Sequence, residues 1–335
     1  MIKKFEIQNR RFLGNKFKLL DFIEDIVNKN CNSFKSFCDI FAGTGVVGER
    51  FNKKNIKIIS NDLLYSSSII LKTFLGITQI NKTRLNEKID FLNNLRSERD
   101  NYFSTHFGNT YFTLDNARKI GIIREEIEGI ARDKKEKYAL ITSLIYATDK
   151  VANTVGHYDA FRGDIDTMQP LKLLPPDIKT ENNKLNEVYR EDANVLIKNI
   201  SCDVLYIDPP YNRRKYIDLY HVLENLAIWE KPKVYGKTKK FDRSNGKSKY
   251  NTLEATNAFR DLVRESNARY ILVSYSNLGK KGVKTSHALI PKKVLVETLR
   301  EKGDIKVFSV PYKPFNSGRS KISNHQELIY FCEVR

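Results

Sequence analysis

Cysteine is scarce and scattered in this chain. The four cysteines, Cys31, Cys38, Cys202 and Cys332, form no CxxC pair, and the five histidines form neither HExxH nor HxxxH. That spacing argues against a disulfide framework and a zinc site, so no resident metal is expected. No run of about 18 apolar residues occurs, which excludes a helical membrane span. The opening MIKKFEIQNRRF lacks the apolar stretch of a secretion signal, so a cytoplasmic location is expected. No internal repeat is visible. Acidic residues are also short: 40 Asp and Glu face 58 Lys and Arg among 335 residues, a net charge of +18. Such a surplus favours a polyanionic partner, because Lys and Arg that neutralise phosphates release condensed counterions. A generally basic background, rich in Lys, Asn and Ile, is the competing explanation. Hydrophobic residues make up 41% of the chain, enough for a substantial core, and the length suits two domains or one core with a large insertion.

Residues 36–41 (SFCDIF) form a short apolar run that stops at glycine-rich sequence, and 46–51 restarts with helical spacing. A second apolar run, 56–59, ends at Asn61 and Asp62, and 63–75 suits a helix. Strand, turn, helix and strand in this order predict a βαβ unit and a parallel sheet. The pattern changes near residue 79: a charged segment and the aromatic run NYFSTHFGNTYF precede helical periodicity at 120–130 and 135–146, broken by PLKLLPPD. The expected organisation is therefore 1–78 and 181–335 as two parts of one α/β domain, with 79–180 inserted. Strands are expected at 204–207, 270–275, 305–310 and 328–331, and helices at 217–229 and 253–265.

Two motifs carry chemistry. FAGTGVVG places Gly43, Gly45 and Gly48 in GxGxxG spacing between a predicted strand and a predicted helix. Glycines there permit positive φ and let a ligand approach the backbone. Asp62, seventeen residues beyond Gly45, is placed to accept hydrogen bonds from ribose hydroxyls. The fingerprint alone does not separate a dinucleotide from S-adenosylmethionine. A valine at Gly45 is expected to block access of the cofactor.

The second motif, VLYIDPPYN, sets Asp208, Pro209, Pro210 and Tyr211 at the end of an apolar strand. The prolines hold Asp208 and Pro209 extended and make the loop rigid. A carboxylate and a carbonyl that each accept one hydrogen of an exocyclic amine return electron density to a poorly nucleophilic nitrogen, while an aromatic ring stacks on the base. A sulfonium donor then needs no protein nucleophile. Methylation at cytosine carbon-5 does need one, a cysteine after proline, and no Pro-Cys pair exists.

Together these motifs resemble the Dam-like, alpha-ordered adenine-N6 DNA methyltransferases of restriction-modification systems. The resemblance implies a Rossmann-like S-adenosylmethionine-dependent methyltransferase sheet with a mainly helical inserted target-recognition domain. It covers most of the chain and is strongest at 9–23, 39–62 and 190–229. NRRFLGNKFKLLDFI is similar to the family's N-terminal element, with Phe12 where tryptophan is common and Lys16 also at the cofactor. By the same resemblance Asp39, Phe41, Ala42, Gly43, Gly45, Asp62 and Leu63 form the cofactor loop, Asp192 and Ala193 of REDANVLI hold the cofactor's adenine, and Asp208 faces both cofactor and base. TDKVANTVGHYDAFRG looks like a family stretch near the substrate strand, which implies DNA contacts for Asn153 and Tyr158, and SYSN at 274–277 resembles a strand end beside the base pocket.

Base flipping costs roughly a few kcal/mol of unstacking, so the distorted duplex must be held. Residues 231–249 carry eight Lys or Arg against one Asp, with Gly236 and Gly246 expected to keep the segment mobile. Lys237, Lys239, Lys240, Arg243, Lys247 and Lys249 are its candidate phosphate contacts, and 313–321 is a second basic candidate. Base readout is expected from 79–180. The expected function is methyl transfer from S-adenosylmethionine to adenine N6 in duplex DNA by a monomer, with a cognate endonuclease as the possible partner protein. RNA base methylation at adenine N6 or guanine N2, cytosine-N4 DNA methylation and a catalytically retired DNA-binding protein remain alternatives. A dehydrogenase would leave DPPYN without a use.

Overall fold

The computed structural model describes residues 3–165, 169–210, 214–244, 248–276, 290–311 and 326–335. The first half runs α1 (Leu20–Asn30), β1 (Ser36–Asp39), α2 (Val46–Phe51), β2 (Lys57–Asn61) and α3 (Tyr65–Leu71), then α4 (Lys82–Asn94), α5 (Tyr102–Phe107), α6 (Leu114–Ile130) and α7 (Lys134–Lys150). The second half runs β3 (Glu187–Tyr189), α8 (Ala193–Leu196), β4 (Ser201–Ile207), α9 (Tyr216–Leu219), α10 (His221–Ile228), α11 (Ala255–Glu265), β5 (Asn267–Ser276), α12 (Lys292–Arg300), β6 (Gly303–Pro311) and β7 (Gln326–Val334).

Among the described residues, seven strands form one mixed sheet in the order β3-β2-β1-β4-β5-β7-β6. Pairings from β3 to β5 are parallel, and β7 lies antiparallel between β5 and β6. Helices cover both faces, which is why the central strands read as nearly unbroken apolar runs. Tyr206, Leu272 and Phe331 join one core cluster with α1, α2, α3, α7 and α10, whereas Leu205, Ile271 and Tyr330 join the other with α8, α11 and α12. Alternation along each strand sets which side chain takes which face.

Helices α4 to α7 begin with polar caps: Asn81, Asn101, Thr113 and Asp133 each accept a backbone N–H of the first turn. The interior of α7 is buried from Ala139 through Asp149, and these helices share a hydrophobic cluster with the sheet residues Phe37 and Val204. Glu224 of α10 ties that mass to the βαβ unit: its two carboxylate oxygens accept the N–H groups of Tyr65 and Ser66 at the start of α3, at 2.8 and 2.9 Å. The last turns before β3 are locked by Asn183, whose amide donates to the carbonyls of Phe74 and Ile77.

Candidate active site

The chain leaves β1 for β2 and β3 on one side and returns in β4 on the other, so the carboxyl ends of β1 and β4 diverge into a crevice. A cleft open to solvent lies there, lined by the loops that follow β1, β2 and β4.

The loop after β1 is built by hydrogen bonds to β2 and its following turn. Ala42 N donates to Asn61 O at 2.8 Å, and Gly43 N and Leu64 N donate to the two oxygens of Asp62 at 3.0 and 2.8 Å. Each Asp62 oxygen keeps a lone pair for a ligand. Burial pushes its carboxyl up to about 7, against the pull of those two N–H donors and of Arg10. Gly43 has φ +53°, and a Cβ there would lie 3.3 Å from the Phe12 ring, so the loop backbone is open to the cleft. Gly45 behaves differently from expectation. Its φ is +80°, and a Cβ would meet Leu71 at 2.6 Å and Ile7 at 2.9 Å, so it faces the core behind the loop and does not line the cleft. Gly48 likewise serves packing, with Ser60 and Ile58 against it.

The N-terminal element forms one wall. Phe12 stacks on Tyr220 with ring centres 4.5 Å apart and on Tyr216 at 5.3 Å. Leu13 N donates to the Tyr220 hydroxyl at 2.6 Å, and the Tyr216 hydroxyl donates to Leu13 O at 3.2 Å. Behind them the buried Arg10 guanidinium lies over the Phe12 and Tyr220 rings, 5.1 and 5.3 Å from their centres. The loop is thereby held so that Lys16 points inward, its Nζ 2.7 Å from Asp208 Oδ2; the two side chains are only 6% and 16% exposed.

Asp208 and Pro210 line the cleft, Pro209 is buried beneath, and Tyr211 lies outside the described residues. Asp192 caps α8 by accepting Asn194 N and Val195 N, and with Ala193, Ala42 and Leu63 it lines the same space. Phe41 packs edge-on against Tyr250, 4.8 Å between centres. Asp39 is buried at the floor, with Oδ1 lacking a hydrogen-bond partner among the described residues; burial, then the charges of Asp208 and Asp62, push its carboxyl well up. Thus Phe12, Lys16, Asp39, Phe41, Asp62, Asp192 and Asp208 come together from distant segments. Tyr216, Tyr220, Tyr250 and Arg10 were not singled out by sequence, and only their aromatic or basic character marked them. Within the chain's +18 charge, the described residues that line the cleft include five carboxyl groups and one ammonium, a lining that suits a cation.

The expected DNA contacts fare unevenly. Lys237 and Lys249 are exposed and Lys239 is half-buried, whereas Lys240 and Arg243 are engaged by Asp159 and Asp218, each at 2.5 Å. The segment around Gly236 is pinned rather than loose: Tyr235 and Lys240 pair through their backbones, and Thr238 O accepts bonds from Tyr111 and His221. Asn153 and Tyr158 are interior. The Tyr158 hydroxyl donates to Asp149 at 3.0 Å and the Asn153 amide donates to the carbonyls of Thr110 and Arg162, so both brace the 151–163 turn instead of facing solvent. Lys247, Gly246, Asn277 and 313–321 lie outside the described residues.

The fold and cleft define a mixed α/β protein whose sheet edge presents an acidic pocket beside an Asp-Pro-Pro corner. The chain belongs to the D12 class N6 adenine-specific DNA methyltransferase family, whose model matches residues 12–285. It is 35% identical to the type II methyltransferase M.FokI of Planomicrobium okeanokoites over 96% of this chain and 52% of that protein. It is 33% identical to the modification methylase StsI of Streptococcus sanguinis, again over 96% of this chain and 52% of the relative. The chain thus spans about half the length of these two relatives. Against the type II methyltransferase M.NlaIII of Neisseria lactamica the identity is 32%, covering 94% of this chain and 95% of that one.

Proposed function

We propose that the protein transfers a methyl group from S-adenosylmethionine to the N6 amino group of adenine in duplex DNA, as the modification enzyme of a restriction-modification pair. The observation that carries this reading is the placement of Asp208 at the mouth of an acidic cleft, paired at 2.7 Å with a nearly buried ammonium. That ammonium holds one oxygen of the carboxylate that a nucleobase amine would need.

The side chains of the cleft fit the cofactor. Asp62 would accept from the ribose hydroxyls, Asp192 from the cofactor's adenine amine, and Phe41 would pack against the adenine. The unsatisfied Asp39 oxygen suits a positively charged amino group. When bound, S-adenosylmethionine supplies a methyl on a positively charged sulfur, so the N–C bond forms as the C–S bond breaks and its electron pair leaves on sulfur. On the protein's side, Asp208 and the Pro209 carbonyl each accept one hydrogen of the flipped adenine's amine and hold it in plane. Asp208 stabilises the positive charge that develops on nitrogen, then takes the proton that nitrogen loses and passes it to water. Tyr211 stacks on the base, Lys237 and Lys249 hold phosphates, and 79–180 reads the sequence.

Because Asp62 must be ionised to accept two hydroxyls, cofactor affinity is full above its pKa of about 7 and falls as pH drops through that value. Calorimetric titration across neutrality checks this, and a flat profile would remove Asp62 from the ribose. The whole reading is tested by supplying labelled cofactor with unmethylated duplex DNA or with RNA. Label should enter DNA as N6-methyladenine, and the salt slope of DNA binding should flatten by up to about 2 in Lys237→Ala/Lys249→Ala. Label confined to RNA, or to cytosine, would overturn it.

A further inference from the structure

Glu327 is a buried carboxylate at the active site that the chemistry above does not use. It stands on β7, contributed by the last ten residues of the chain, and is 6% exposed. Strand register fixes its direction. Tyr206 pairs with Leu272, which puts Asp208 beside Ser274; Ser274 pairs with Ile329, and Ser276 pairs with Glu327. Tyr206, Leu272, Ile329 and Phe331 all enter the same core cluster. Strict alternation then sets Asp208, Ser274, Ser276 and Glu327 on one face of the sheet, at the edge where the cleft opens. Among the described residues, the charged groups that bear on Glu327 are Lys16, which attracts it, and Asp208, which repels it; the Tyr206 hydroxyl faces it from β4.

Lys16 competes with the base for Asp208 in the proposed reaction. Its ammonium holds Oδ2 at 2.7 Å, and an adenine amine that takes this oxygen displaces it. A displaced ammonium in so buried a site needs a counter-charge close by, since an uncompensated buried charge is severely penalised. We propose that Glu327 is a positioning residue that receives the Lys16 ammonium when the target amine takes over Asp208, an inference that rests on the adenine-N6 reading. Lys16 thereby alternates between two carboxylates on one sheet face: it shields Asp208 while the pocket lacks its base and withdraws when the base arrives. Burial holds the Glu327 carboxyl up at about 7, and the approaching ammonium favours its ionised form, so its charge develops where Lys16 arrives.

The test is a double-mutant cycle of Glu327→Gln and Lys16→Met, read by initial rates of methyl transfer to duplex DNA and by cofactor affinity. Glu327→Gln should lower kcat by about tenfold with cofactor affinity nearly unchanged, and should cost less than about twofold when Lys16 is already Met. The pH profile of kcat near neutrality should also flatten in Glu327→Gln. An equal loss in both backgrounds, or normal turnover in Glu327→Gln, would overturn the proposal. Should the Gln variant unfold, Glu327→Asp keeps the charge at a shorter reach. An Asp variant that folds should retain part of the turnover and lose that part when Lys16 is Met; turnover indifferent to Lys16 would overturn the proposal too. A wild-type protein that fails to methylate DNA defeats the adenine-N6 reading itself, whereas a methylating wild type with additive losses defeats only the role of Glu327.

Discussion

Asp208→Asn is expected to lower turnover by about 10²- to 10³-fold, equivalent to about 3 to 4 kcal/mol of transition-state stabilisation. Asparagine keeps one carbonyl oxygen for the amine but loses the negative charge that balances the developing cation on nitrogen. Cofactor affinity should change no more than a few-fold, because Asp39, Asp62 and Asp192 remain in the cleft. The variant also leaves Lys16 without its 2.7 Å partner, so a lower melting temperature is expected. Adding Lys16→Met should recover stability but not activity, which separates the chemical loss from the structural one. Methyl transfer under single-turnover conditions measures the first and thermal unfolding the second. Turnover near normal in Asp208→Asn would remove the amine acceptor and with it the proposed reaction.

The second large effect is on stability. Gly45→Ala should destabilise the protein by about 2 to 4 kcal/mol, combining the cost of a Cβ in left-handed backbone with overpacking of a filled core. The clash is specific: φ is +80°, and the new atom would sit 2.6 Å from Cδ2 of Leu71, a fully buried side chain at the end of α3. Cofactor affinity measured on the fraction still folded should stay close to normal. Gly43→Ala offers the contrast, since its Cβ would press on Phe12 at 3.3 Å on the cleft side and should weaken the cofactor directly. A Gly45→Ala protein as stable as wild type that nonetheless rejects cofactor would restore the sequence-based expectation that this glycine faces the ligand.

That reversal at Gly45 illustrates how much of the site was legible. The motif announced a turn that only glycines allow, and the turn is there, but GxGxxG spacing cannot say which glycine meets ligand and which meets protein. Six strands were visible as short apolar stretches, three of which run into glycine-rich sequence, Asn-Asp or the DPP corner. The three-residue β3 was missed, being half-buried and without a period long enough to read, and α4 was hidden in a charged segment whose buried face rests on only Leu85, Ile89 and Leu92. Asn153 and Tyr158 were placed at the DNA by resemblance, yet both side chains are buried, and the Asn153 amide nitrogen and the Tyr158 hydroxyl donate to partners inside the protein. Composition alone does not distinguish an amide that reads a base from one that braces a turn.

From local pattern the chain itself determined the parallel sheet, the glycine loop, the acid after β2 and the rigid acidic corner after β4, because each depends on residues within one strand and its following turn. Tertiary structure alone decided that Lys16 closes on Asp208, that Phe12 is clamped by Tyr216 and Tyr220, and that Glu327 stands over the same sheet face. Those contacts join segments some two to three hundred residues apart, and their geometry follows from strand order and pleat, with β7 inserted antiparallel between β5 and β6. Periodicity in a sequence reports which side of an element is buried; it carries no information on what another element brings to that side.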